Sequence, residues 1–168
     1  MSEVKNKVKW CLKKAEKELQ VGSKHRGLVE IKPDLDEAKK HIIKAEHNFK
    51  ALISFEKTGF SDWSVSAGFY AIYHCFLAIL AKQGFESRNQ ECTIALIEAL
   101  NEDKKIEVSP DIIDSLKTLD ADTSHERNAI ELRENFQYGT ETSIDDKRLT
   151  KLKDLCKKAI EEAKKAIY

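Results

Sequence analysis

An all-α fold, a single up-and-down bundle of five to six helices around one apolar central helix, is what this sequence predicts. Three observations carry that prediction. The nineteen residues from Trp63 to Ala81 contain no Asp, Glu, Lys or Arg, in a chain that is 35% charged. Apolar residues recur at helical spacing almost from end to end. Two Pro and six Gly among 168 residues leave little material for disorder or for an all-β design. In the uncharged segment Val65, Phe69, Ile72, Phe76 and Leu80 cover some faces, and Tyr73, Leu77 and Ile79 cover others. A helix apolar on every side has to be surrounded. Its length permits a membrane span, but Ser64, Ser66, Gly68 and the polar tips of Tyr70, Tyr73 and His74 argue for a core helix and no membrane.

The other elements follow in order. A first helix from Glu3 to Leu19 carries Val4, Val8, Cys11, Leu12 and Ala15, and a connector with Gly22, Gly27 and Pro33 follows it. A second helix opens at Asp34, with Asp36 and Glu37 in its first turn. Its stripe of Leu35, Ala38, Ile42, Ala45, Phe49 and Leu52 steps by threes and fours, which suits lengthwise packing on another helix. Lys57 to Phe60 ends it, and Ser61 or Asp62 is placed to cap the central helix, which Gly84 stops. A fourth helix spans Asn89 to Asn101, and Ser109-Pro110 starts a fifth through Ile112, Ile113, Leu116 and Leu119. That one breaks at Asp120–Ser124 and resumes through Ala129, Leu132 and Phe136 to Tyr138-Gly139. A last helix from about Ser143 carries Leu149, Leu152, Cys156, Ala159 and Ala163. No strand is expected, and residues 1–168 read as one domain.

Charge is balanced overall but segregated. Residues 1–57 carry a net +5, residues 86–146 a net −10 and residues 147–168 a net +5. A zero total supplies no global field for nucleic acid or an acidic membrane. The segregation fits either a basic partner or chain ends that pair across the bundle. Cys11, Cys75, Cys92 and Cys156 are far apart, each within an apolar stripe, so buried reduced thiols are expected. The N-terminus leads into no apolar signal segment, which places the chain in the cytoplasm.

Chemistry-bearing motifs are sparse. No Glu stands three residues before a His, and Asp122/His125 and Glu37/His41 are single pairs, so neither a di-metal site nor any cofactor is expected. His74 reads as a neutral buried imidazole bonded to a backbone or hydroxyl group, or else as a ring facing a cleft. Tyr70 and Tyr73 read as core packers, with base stacking as the alternative. Arg133-Glu-Asn-Phe-Gln-Tyr138-Gly139 is the most informative polar run. Gly139 suits a left-handed closing residue. Arg133 either offsets the helix dipole and pairs with nearby acids, or belongs with Tyr138 to a ligand or partner site.

Three segments in this order resemble the HEPN domain family, in its stand-alone archaeal and bacterial branch. They are Lys44-Ala-Glu-His-Asn-Phe-Lys, Trp63-Ser-Val-Ser-Ala-Gly-Phe-Tyr-Ala-Ile-Tyr-His and Leu132-Arg-Glu-Asn-Phe-Gln-Tyr-Gly. The likeness runs from about Gly27 to the C-terminus and is weakest over residues 1–27. It implies a helical bundle, commonly a homodimer, often encoded beside a minimal nucleotidyltransferase partner in toxin–antitoxin systems. Active relatives cleave RNA without metal, through an Arg followed four to six residues later by a His and completed across the dimer. The imidazole moves the proton and the guanidinium stabilises the phosphorane.

This chain departs from that motif, because five residues after Arg133, with four between, comes Tyr138 in place of a His. A phenol with an ordinary pKa near ~10 shuttles protons poorly at neutral pH. Gln90 stands where relatives often place a His, and Tyr138 is a candidate for the Tyr near the motif that the partner nucleotidylates in some toxin members. The expectation is therefore a non-catalytic, dimeric HEPN protein. It engages a nucleotide, RNA or a nucleotidyltransferase through Arg133, Asn135, Tyr138, Gly139 and Arg88. The alternatives are a divergent ribonuclease using Arg133, Tyr138 and His74, and a purely structural interaction module.

Overall fold

The computed structural model describes the backbone of residues 2–117 and 129–168, and the side chains of residues 2–117 and 133–168. Leu119, the break at Asp120–Ser124 and the Asp122/His125 pair lie outside the described residues. The elements are α1 (Glu3–Gln20), β1 (Leu28–Glu30), α2 (Leu35–Lys57), α3 (Ser61–Gln83), β2 (Phe85–Ser87), α4 (Gln90–Glu102), α5 (Pro110–Leu116), α6 (Ala129–Tyr138) and α7 (Asp146–Ile167). The all-α bundle is the fold found. Its seventh described helix arises because the expected fifth rod is two elements, α5 and α6.

Helix starts follow their caps. Asp34 accepts from the Glu37 N–H at 2.9 Å, Asn89 from the Cys92 N–H at 3.0 Å and Asp145 from the Arg148 N–H at 3.0 Å. The last places the start of α7 three residues after the expected Ser143. α3 differs, because Phe60 holds its N-cap position without a side-chain cap bond. The Ser61 hydroxyl instead accepts the Ile144 N–H at 3.1 Å, fastening the segment before α7.

The expectation of no strand is overturned by β1 and β2, which pair antiparallel with Leu28 opposite Ser87 and Glu30 opposite Phe85. Three-residue strands are too short to show alternation in a sequence. Gly84 makes the pairing possible. With φ at 88° it ends α3 in the left-handed region, and its carbonyl accepts the Ile31 N–H at 2.9 Å.

α2 and α3 form an antiparallel hairpin. Ser64 Oγ donates to the Leu52 carbonyl at 2.8 Å, and His41 faces His74 farther along. α7 crosses the pair at Gly68, where an added Cβ would lie 2.8 Å from Leu152 Cδ2 and 3.0 Å from Leu52 Cδ1. There Cys156 Sγ donates to the Gly68 carbonyl at 3.4 Å. Phe69, Ile72, Phe76, Ile79 and Leu80 of α3 are buried against Leu52, Ile97, Ile112, Leu116, Leu149 and Leu152. α3 is the one described helix long and apolar enough to cross a membrane, and 67% of that window is buried inside the protein.

The enclosure is incomplete, which corrects the expectation of a helix covered on every side. Trp63 and Tyr70 are 56% and 38% exposed, and Ser66, Ala67, Tyr73, His74 and Leu77 between and beyond them are half-buried. These positions step by threes and fours and form one continuous stripe. α2, α7 and the shorter helices cover the other faces.

The cysteines split into two kinds. Cys75 and Cys156 are buried free thiols, as expected, and burial pushes both upward, Cys156 to about 12. Cys11 and Cys92 instead form a disulfide across 81 residues, which corrects the reading of four reduced thiols. Each lies on its own helix's apolar stripe, and only the docking of α1 on α4 makes the two stripes face one another.

Charge segregation is met in part within the chain. Lys5 pairs with Asp103, Lys7 with Glu91 at 3.0 Å and Lys158 with Asp111 at 2.9 Å, so both basic ends meet the acidic middle. Lys153 and Lys164 bind Glu56 and Glu46 and tie α7 to α2. Exposed pairs contribute about 0–1 kcal/mol each, so they select register more than they stabilise.

Two outcomes follow for denaturant unfolding. Gly68→Ala forces a methyl into the three-helix crossing and should lower stability by about 1–3 kcal/mol. Replacing Cys11 and Cys92 with Ser should lower it by about 2–4 kcal/mol, and wild-type protein held in reductant should unfold at the same midpoint as that double variant.

Candidate functional site

The open stripe of α3 collects the polar groups that the sequence singles out. Arg133, from α6, lays its guanidinium on α3, with its carbon 4.6 Å from the Phe69 ring centre and 6.0 Å from that of Tyr70. Cation–π contact of this kind contributes about 0.5–2 kcal/mol. Nη1 donates to Gln137 Oε1 at 3.1 Å, one turn on. Nε is buried with no hydrogen-bond partner among the described residues. A buried donor left unpaired costs about 1–3 kcal/mol, which an incoming acceptor would relieve. Among the described residues Arg133 pairs with no carboxylate, and Asp120, Asp122, Glu126 and Glu131, the nearby acids of the dipole-and-acid reading, have side chains outside them.

His74 lies one turn beyond Tyr70 on the same helix. Its Nδ1 sits 3.0 Å from His41 Nδ1 across the α2–α3 hairpin, where a backbone or hydroxyl partner was expected. One ring must present N–H and the other its lone pair, so the geometry excludes protonation of both at these nitrogens. Burial pushes both imidazoles below the ordinary histidine value. His74 reaches about 4, with the neighbouring His41 and Lys44 adding to the effect. For His41 the Glu37 carboxylate, 3.7 Å from Nε2, partly opposes burial. Tyr73 completes the row. Its hydroxyl meets Thr93 Oγ1 at 3.1 Å, its ring stacks on Phe69 at 6.1 Å, and burial raises its phenol.

Not all the expected residues join this row. Five positions on a helix turn through roughly 140°, so Tyr138 points away from Arg133 and is 77% exposed. Asn135 is exposed, and its carbonyl accepts the Gly139 N–H at 2.9 Å. Gly139 is absent from the left-handed glycines, which are Gly22, Gly59 and Gly84. It is glycine for another reason: a Cβ there would run into the Asn135 carbonyl.

Arg88 is separate. Its Nε donates to Glu86 at 3.1 Å and its N–H to the Gly27 carbonyl at 3.1 Å, beside buried His25, whose Nε2 lies 2.6 Å from Glu86. That corner follows the end of α3, and Phe69 to Gly84 alone covers roughly 22 Å of helix.

Sequence reasoning missed Phe69 as the seat of the guanidinium, and it missed His41 as the partner of His74. A signal for the second was present. In a tight antiparallel hairpin opposed residues keep a near-constant number sum, so a contact near Leu52 and Ser64 places His41 opposite His74.

Chemically, the row joins a cation on aromatic faces, two neutral imidazoles and Lys44, on a helix stripe without a carboxylate. Guanidinium recognises phosphate through a planar fork of donors, and exposed aromatic faces accept stacked bases. Glu37 is the acid at its edge. Among the described residues no group of three or more His, Cys, Asp or Glu could hold a metal ion.

The sequence model of the HEPN domain matches residues 38–167, from α2 to the end of α7. No curated protein matches the chain significantly.

The imidazole pair has a pH consequence. Folding lowers both values, so the unfolded chain binds more protons between its ordinary histidine value near ~6.5 and the folded His74 value of about 4. Stability is complete above that window and falls as pH drops through it. Urea midpoints should therefore fall between pH 7.5 and pH 5, and His41→Gln/His74→Gln protein should lose much less over the same interval. An NMR titration should find the His74 ring still neutral at pH 5.

Proposed function

Because the chain belongs to the HEPN domain family, we propose that it is a binding member of that family. In this reading it engages a nucleotide or RNA along the α3 stripe and does not turn the ligand over. Membership in the family supports a general nucleotide- or RNA-related role. The observation that carries the finer reading is Arg133, its guanidinium seated on Phe69 and Tyr70 with a buried Nε–H unpaired among the described residues. Arg133 belongs to the segment with net −10. Lysines of α1 and α7 take up acids of that segment, and the stripe itself is uncharged from Trp63 to Ala81.

Absence of turnover is inferred from the chemistry of the row. No histidine nitrogen hydrogen-bonds Arg133 among the described residues, and His74 is committed to His41. We assign the stripe centred on Trp63 and Tyr70 to a second copy of the chain, so that two Arg133 side chains line one cleft in a cytoplasmic homodimer. Tyr138, with most of its surface free, remains open to a nucleotidyltransferase partner. The ribonuclease reading keeps one observation in its favour: His74 shares the α3 face with the aromatic seat of Arg133.

Labelled single-stranded RNA incubated with the protein in EDTA separates the two. Binding without cleavage is expected, weakened at least tenfold by Arg133→Ala and only partly restored by Arg133→Lys, which keeps the charge but lacks the planar fork. Metal-independent cleavage lost in His74→Ala would establish the ribonuclease instead. Light scattering should give a dimer for the wild type and a monomer for Trp63→Glu.

A further inference from the structure

The segment ahead of the matched residues is strapped to the rest of the chain at one corner. α1 carries Cys11 to Cys92 in the first turn of α4. Gly27 lets the chain lie against the Cys11 carbonyl, β1 pairs with β2, and His25 holds Glu86. The residue after Cys92 is Thr93, fully buried, and its hydroxyl is a junction. It meets the Asn89 carbonyl at 2.9 Å, Ser87 Oγ at 2.6 Å and Tyr73 Oη at 3.1 Å. Tyr73 stacks on Phe69, and Phe69 seats Arg133. From the disulfide to the guanidinium, each step is a bonded neighbour or a direct contact.

We propose that the Cys11–Cys92 disulfide is a redox latch on the Arg133 row, a regulation that rests on reading that row as the ligand site. With the bond closed, α1 clamps the first turn of α4. Thr93 then fixes the Tyr73 phenol, and the Tyr73 ring fixes the Phe69 face on which Arg133 lies. A dithiol reductant opens the latch. One of its thiolates attacks Cys11 or Cys92 sulfur and breaks the S–S bond, and its second thiolate resolves the mixed disulfide. Two electrons and two protons pass to Cys11 and Cys92, and the reductant leaves as its own disulfide. Both sulfurs are fully buried, so attack has to wait for α1 to lift. Once the bond is open, α1 is held by its apolar stripe and by exposed pairs such as Lys7–Glu91, which are weak.

The test compares oxidised protein with protein reduced by dithiothreitol, using two readouts. These are amide hydrogen exchange over residues 3–20 and 90–95, and the affinity of a fluorescein-labelled ten-nucleotide oligoadenylate RNA. Reduction should speed exchange in both segments at least tenfold and weaken RNA binding at least fivefold. Cys11→Ser/Cys92→Ser protein should behave as reduced under both conditions. Tyr73→Phe should keep the exchange response while losing the affinity response, because the link at Thr93 is cut.

Equal affinity of the oxidised and reduced forms, with Arg133→Ala still abolishing binding, overturns the latch and leaves the ligand site intact. If Arg133→Ala binds RNA as well as the wild type, the ligand site is wrong. The Tyr73 ring signals in NMR then decide the latch: a shift on reduction supports it, and none overturns it.

Discussion

Gly68 carries no side chain, and the crossing of α2, α3 and α7 depends on that. Leu52 from one side and Leu152 from the other occupy the space a Cβ would need, and Cys156 reaches the Gly68 carbonyl through the same gap. Close approach at one point sets how α2 and α7 lie along α3. That in turn decides which residues of an uncharged helix are buried and which are left at the surface. Interiors packed at crystal-like density transmit such constraints along whole helices.

The uncovered stripe follows from this arrangement. α2 and α7 press on adjoining faces of α3 and are tied together by Lys153–Glu56 and Lys164–Glu46. α4 meets the helix at Tyr73 through Thr93, and α6 brings Arg133 to Phe69 and Tyr70. What remains open is aromatic, uncharged along α3 and edged by cations and imidazoles. Both the ligand reading and the dimer reading draw on this surface, and they are compatible because a cleft shared by two copies presents two guanidinium groups to one ligand.

The candidate site was half legible. Arg133 and His74 stood out, the first in a polar run at a helix end and the second as an imidazole in an uncharged helix. Their true partners did not, because Phe69 looks like any core aromatic and His41 is one of five histidines. Tyr138, Asn135 and Gly139 were grouped with Arg133 on proximity in the chain. Helical rotation carries Tyr138 to another face, and Gly139 closes against Asn135 without left-handed geometry. Arg88 was likewise drawn in, although it belongs to the corner held by Glu86 and His25.

By itself the sequence determined the helical bundle, the boundaries of most helices and the identity of the central one. Periodicity, capping residues and the uncharged run are local signals that survive without any knowledge of neighbours. It also carried the family, through the order of several short segments. Tertiary structure alone decided that Cys11 meets Cys92, that His41 meets His74, that lysines of both basic ends pair with acids of the middle and that Trp63 and Tyr70 of α3 stay exposed. Those facts depend on the rotation of each helix about its axis and on which helix lies beside which. Residues distant in the chain share no local pattern from which either can be read.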